Sequence, residues 1–189
     1  MGNLSVGTAG TSYYEVARAG QVFAARAIVT APVIFSTAAG TGGPLLWNNT
    51  GVASGVSTKA VNAVILAVTC ALTVVTTVAA ALGITGNSGQ TTAPSATTPI
   101  DTVGNLLIGG PAPLCNTFRV GTPTNAGGFF LPLLALSTGA LTVDNELVGL
   151  IHLDGAIVVP PGSWASLAAS ATATTTVAQL GLVWAELPV

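Results

Sequence analysis

Charge is what this 189-residue sequence has least of. Asp, Glu, Lys and Arg make up 5% of it, four basic and six acidic side chains for a net charge of -2, where an ordinary soluble domain carries about 25%. A monomer normally stays dispersed through many interspersed charges. A surface this neutral is either covered by partners or kept in water by hydroxyls and amides. Obligate interfaces are depleted of charge, so the shortage points to a subunit of a permanent assembly. It also excludes nucleic acid as a partner. Phosphate binding needs clustered Lys and Arg, and Arg18, Arg26, Lys59 and Arg119 lie far apart in the chain.

Reactive residues are equally scarce. The two cysteines, Cys70 and Cys115, fit no metal spacing and are too few for a disulfide framework. Two buried free thiols are expected, with one disulfide between them as the alternative. The sole histidine, His152, shares a strand face with Asp154, but a triad would also need Ser163 or Ser166 as nucleophile. No nucleophile elbow precedes a helix, and a structural strand histidine is expected. Asp144, Asn145 and Glu146 could join Asp154 in offering oxygens to a cation, yet no calcium-loop pattern is present and Asn/Asp tracts ordinarily cap turns. Gly40-Thr41-Gly42-Gly43-Pro44 lacks the Lys-Ser/Thr of a phosphate loop. Neither a metal, a cofactor nor a catalytic residue is expected, and the chain does not read as an enzyme. Asn3-Leu4-Ser5 and Asn48-Asn49-Thr50 match the glycosylation pattern. Met1 to Gly20 contains Glu15 and Arg18 and has no apolar core, so no secretory leader is expected to give those matches meaning.

Apolar residues are plentiful instead, at 50% of the chain with a mean hydropathy of +0.75. A spanning helix needs about 20 such residues, and 61–84 nearly supplies them. Its periodicity is two, however. Val64, Leu66, Val68, Cys70, Leu72 and Val74 alternate with Ala63, Ile65, Ala67, Thr69, Ala71 and Thr73, most of which are small or hydroxylated. That is a strand with one face in a core, and its flanks lack a basic cluster and an aromatic belt. A membrane partner is not expected.

The rest of the chain reads as short strands punctuated by Gly and Pro. Residues 1–20 form an extended N-terminal arm with Tyr13 and Tyr14, and 21–189 one β-sandwich domain. Strands are expected at 21–35 (with a bend or an edge at Pro32), at Leu45-Leu46-Trp47, over 61–78, and at Leu106-Leu107-Ile108 and Phe129-Phe130-Leu131. Leu147–Val159 reads as a strand interrupted at Asp154-Gly155, followed by a turn at Pro160-Pro161-Gly162 and strands at 164–172 and 177–187. Residues 83–105 are read as a long exposed loop, because loops beyond about 12–15 residues are commonly functional. Trp47, Trp164 and Trp184 sit on three strands and are expected in a core or a subunit interface rather than on a carbohydrate platform. Such a pattern predicts an all-β antiparallel sandwich of jelly-roll type.

Certain segments carry a resemblance. Val158-Val159-Pro160-Pro161-Gly162-Ser163-Trp164, the small-residue strand after it, and the terminal Trp184-Ala185-Glu186 resemble the carboxyl ends of jelly-roll virion structural proteins of tailed bacteriophages. Leu45-Leu46-Trp47-Asn48-Asn49-Thr50-Gly51 is similar to an apolar-Trp-Asn loop of the same proteins. The likeness spans about half of the chain, and its motifs are loose. It implies a capsid decoration (cement) subunit on the virion exterior, a homotrimer that binds the phage major capsid protein. Head-fibre or tail components that display loop 83–105, and a carbohydrate-binding jelly-roll module, are the alternatives. On this reading Tyr13, Tyr14 and Arg18 attach the arm to the lattice. The low-charge strands, through Val64, Leu66, Val68, Trp164, Leu182 and Trp184, form the seam between subunits.

Overall fold

The computed structural model describes residues 9–30, 43–52, 59–74, 80–100, 102–136, 148–170 and 177–189. Among them run one helix, α1 (Ala9–Arg18), and the strands β1 (Val22–Thr30), β2 (Leu45–Asn48), β3 (Val61–Val74), β4 (Ala80–Asn87), β5 (Ser95–Pro99), β6 (Thr102–Asn105), β7 (Asn116–Thr122), β8 (Phe129–Leu136), β9 (Val148–Val159), β10 (Ser163–Ala169) and β11 (Val177–Pro188). Pairing is antiparallel throughout and follows one rule. β1 pairs with β11, β2 with β10, β3 with β9, and β4 with β8. With β5–β7 set aside, first pairs with last and second with second-last, as in a long hairpin rolled upon itself. This is a jelly roll.

The two sheets run β6-β1-β11-β3-β9 and β5-β7-β2-β10-β4-β8. β5, β6 and β7 are an excursion between β4 and β8 that widens both sheets on the same side. Sequence period two sets the inner faces. Phe23, Ala25 and Ala27 of β1, Leu180, Leu182 and Trp184 of β11, and Ala165 and Leu167 of β10 meet in the main core. The Phe23 and Trp184 rings lie 5.7 Å apart there. Leu45, Trp47 and Trp164 form a second cluster with Phe118, on the opposite face of the β10 sheet. All three tryptophans are therefore core residues, and both cysteines are buried and free. The turn at 160–163 has Gly162 at φ 75°, and Ser163 N donates to Pro160 O at 3.0 Å, the geometry of a type II turn with Pro at its second position.

Three expectations need correction. The 83–105 stretch is not one loop: β4 continues to Asn87, β5 and β6 follow, and the irregular part is 88–94. Thr, Gly and Pro conceal these strands because two of them lie at sheet edges, where pairing on one side suffices and Pro99 is tolerated. Leu106-Leu107-Ile108 is a turn rather than a strand, and Asn116–Thr122 is a strand that no alternation announced. The arm is a helix over Ala9–Arg18. It ends at Gly20, φ 70°, with Gly20 N donating to Ala17 O and Gln21 N to Val16 O, a closed C-terminal cap. Residues 31–42, with Pro32 and most of the Gly40–Pro44 turn, and 137–147, with Asp144 and Glu146, lie outside the described residues.

β3 shows why faces are harder to read than strands. Its inward residues are Val61, Ala63 and Ile65, then Val68 and Cys70. The register against β11 and β9 slips at Leu66, so an extra residue inverts the phase of the strand. Only beyond the bulge do the even positions face the core. On β9 the matching irregularity is Asp154-Gly155, both at positive φ (47° and 81°), where the sequence places an interruption.

Candidate functional site

The charged and polar side chains available for chemistry divide into a buried set and a surface set. Three of the buried ones, Asn48, Gln90 and Glu186, have structural tasks, whereas Asn49 Oδ1 and the indole N–H groups of Trp47 and Trp164 are buried with no hydrogen-bond partner among the described residues. Asn48 ends β2, and its Nδ2 donates to Val61 O and Val159 O, both at 2.7 Å. One side chain thereby ties β2 to the start of β3 and the end of β9, in the other sheet. Its Oδ1 accepts from Thr50 N and Thr50 Oγ1 at 3.2 and 2.6 Å. Asn48 is fully buried, so its place in a glycosylation pattern has no consequence in the folded chain. Gln90 is buried in the 88–94 connection, where its Oε1 accepts from Thr124 N and Thr124 Oγ1, both at 2.9 Å. Two loops are joined by that one amide.

The third buried group is an acid. Glu186, 4% exposed, follows Trp184 on the inner side of β11. Its carboxylate accepts from Leu114 N at 2.8 Å, Cys115 N at 3.0 Å and Trp184 Nε1 at 3.2 Å. Hydrogen bonds to a charged group are worth about 1.5–3 kcal/mol each, and these hold the 106–115 segment against the sandwich. Glu186 also forms part of the wall of a cleft of about 530 Å³ between Phe23, Val61, Pro111, Leu114 and Pro188, with Lys59 among its lining residues. The Trp-x-Glu pattern was visible in the sequence. Its purpose was not, because the amides it holds lie about seventy residues away.

Neither thiol is poised to react. Burial raises Cys70 to about 11. Cys115 is raised further, by burial first and then by the neighbouring Glu186 carboxylate. Thiolate, not thiol, is the nucleophile. His152 and Asp154 both lie exposed on the outer side of β9, and Asp154 is engaged elsewhere: Tyr13 Oη donates to its Oδ1 at 2.6 Å. Ser163 and Ser166 are buried, with Ser166 Oγ donating to Leu167 O at 3.2 Å. The triad arrangement is thus not assembled. Among the described residues no three His, Cys, Asp or Glu side chains gather as a metal site. No helix among them is long and apolar enough to cross a membrane.

Tyr13, Tyr14 and Arg18 all lie on α1. Tyr13 is half-buried and pins the helix to β9, while Tyr14, 64% exposed, and Arg18 face outward. Burial and then the Asp154 carboxylate raise the Tyr13 phenol to about 12, so it remains a donor. The predicted seam needs correction. Val68, Trp164, Leu182 and Trp184 are at most 2% exposed within their own chain and have no surface to offer a neighbour. They are low-charge strand residues, and composition does not distinguish a sandwich interior from a subunit interface. Val64 and Leu66 are half-buried on the outer side of β3.

No family model, curated protein or solved structure matches the chain.

Proposed function

We propose that this protein is a virion structural subunit, a capsid decoration (cement) protein that assembles with itself and binds the phage major capsid protein on the particle exterior. The observation that carries the proposal is how its polar groups are used. Asn48, Gln90 and Glu186 are buried and committed to fastening loops and sheets, while the exposed surface includes many large apolar side chains and few charges. That distribution suits a rigid part that is covered by neighbours. Its action would be mechanical. A subunit seated across adjacent capsid proteins removes apolar area from water at about 25 cal/mol per Å² and resists their separation under internal pressure. Tyr14 and Arg18 are the exposed contacts assigned to the lattice, and Tyr13 holds their helix in place.

Removal of residues 1–18 tests this reading. Gly20 is retained, because Asn105 Nδ2 donates to its carbonyl at 2.7 Å. The truncated chain should keep its cooperative unfolding and the same number of subunits per particle in solution as the full chain, and lose its binding to capsids. Full stoichiometric binding by the truncated chain refutes the attachment role. An antibody against the chain that labels no particle surface refutes the virion assignment.

A further inference from the structure

Most of the exposed large apolar side chains, Tyr14, Ile28 and Val189 apart, gather on two opposite sides of the sandwich. On one side, β6 and the turn after it present Val103, Leu106, Leu107 and Ile108. On the other, β8 and β9, each at the edge of its sheet, present Phe129, Leu131, Leu150 and Val158. We infer that these two sides dock on each other between successive copies of the chain, the Leu106–Ile108 turn of one seated against the β8/β9 edge of the next. The inference rests on the proposal that the protein assembles with itself, and it names the surfaces.

The turn is built to hold its apex still. Gly110 N donates to Leu107 O at 2.8 Å with Gly109 at φ 81°, a type II turn with Ile108 at its second position. Asn105 braces it from beneath: its Oδ1 accepts from Leu107 N at 2.8 Å, and its Nδ2 donates to Pro111 O at 2.9 Å. Ile108 is left 98% exposed. A rigid, fully solvated isoleucine is costly in water and loses little conformational freedom on binding.

The opposite edge supplies a receptor. A hollow of about 340 Å³ opens there between Asn87, Ser88, Phe129, Ile157, Val158 and Pro160, roomy enough for one aliphatic side chain. β9 is 12 residues long, so at about 3.3 Å per residue the edge runs roughly 40 Å. The two sheets, about 10 Å apart with side chains beyond, make it roughly 20 Å wide. That footprint approaches the ~800 Å² per partner of a stable interface only as an upper bound, because Tyr13 of α1 already occupies β9 at Asp154. Long apolar edges are otherwise guarded by charge or cover. Residues 102–115 and 129–136 contain no Asp, Glu, Lys, Arg or His, and β9 has only His152 and Asp154.

A second copy is favoured over a foreign partner because the chain carries both halves of the contact. A foreign protein would need one apolar side, whereas head-to-tail contact uses both and closes into a ring or extends as a fibre.

The test uses two full-length variants, Ile108→Cys and Val158→Cys, one of them isotopically heavy. Both native thiols are buried and give a quiet background. Mixed and oxidised, the variants should form a light–heavy disulfide dimer that neither forms alone. Ile108→Asp, at a solvated position, should fold as the wild type and weaken self-association by about 30-fold or more, the size of a hot-spot loss, by sedimentation equilibrium. A wild-type oligomer that survives Ile108→Asp and yields no mixed disulfide overturns the inference and leaves self-assembly standing. Equal cross-linking by Ile108→Cys alone overturns it in favour of tip-to-tip contact. A wild type that sediments as a monomer at tens of micromolar overturns both. Mixed disulfides from a chain that labels no particle support this contact and remove the virion assignment.

Discussion

Replacing Glu186 with glutamine tests whether a buried acid fastens the 106–115 segment. Glu186→Gln keeps the volume and one carbonyl oxygen, which can go on accepting from Cys115 N and Trp184 Nε1. In place of the other oxygen it sets an NH₂ group against Leu114 N, now 2.8 Å from a carboxylate oxygen. Two charge-assisted bonds become neutral ones, a loss of about 1 kcal/mol each, and one N–H is orphaned at about 1–3 kcal/mol. An amide is easier to bury than a carboxylate, which returns part of this and leaves about 3 kcal/mol. For a chain of this length each kcal/mol moves Tm by about 2–4 °C, so melting should fall by about 6–12 °C with an unchanged urea m-value. Tryptophan fluorescence reports the unfolding. Amide exchange should accelerate locally at Leu114 and Cys115 before global unfolding. A stability within about 0.5 kcal/mol of wild type, the range of an ordinary surface change, or unchanged exchange at those two amides, would refute the reasoning.

Two further predictions concern backbone and helix. A Cβ on Gly83 would stand 2.6 Å from the Phe130 ring and closer still to the Leu131 carbonyl, so Gly83→Ala should cost about 2–3 kcal/mol in urea unfolding. Gly104 has nothing within 4 Å of the same position, and Gly104→Ala should be neutral or stabilise by about 0.5 kcal/mol; equal effects at the two sites would contradict the packing described for β4. Tyr13 is neutral when it donates to Asp154, and its pKa is raised when folded. Its contribution is thus complete below pH 10, its ordinary value, and is lost as pH rises towards about 12. Protease access to α1 should rise in that window in the wild type and be high throughout in Tyr13→Phe.

Much of the architecture was legible because a strand with one buried face writes its alternation into the sequence. β11 follows that alternation without a break, β10 is buried on both faces and is bounded by turn residues instead, and a Pro-Pro-Gly turn could be read without a partner. β3 was legible as a strand and misread as a face, since one residue at Leu66 reverses the side on which everything before it lies. The helix carries its own signals, Tyr13, Val16 and Ala17 at helical spacing, Arg18 in the last turn and Gly20 just beyond, but they are too few over ten residues to outweigh the polar Gly/Ser/Thr composition around them. The edge strands β5 and β6 carried almost none, as a strand paired on one side and largely solvated has little reason to alternate. The fastening groups were beyond reach for another reason. Asn48 and Glu186 meet backbone atoms supplied by distant parts of the chain, and a backbone atom has no residue type to recognise.

The pairing of β1 with β11 carries a consequence for how the protein is made. Val22 lies opposite Ala185, so β1 cannot complete its pairing until β11, ten strands later in the order of the chain, is present. Until then β3, rich in Val, Ile and Leu, also lacks the neighbour that covers its flank. Topologies dominated by such distant partners fold slowly and expose sticky intermediates. Loss of β11 would leave β1 and β3 each without the strand that joins them, exposing two edges at once.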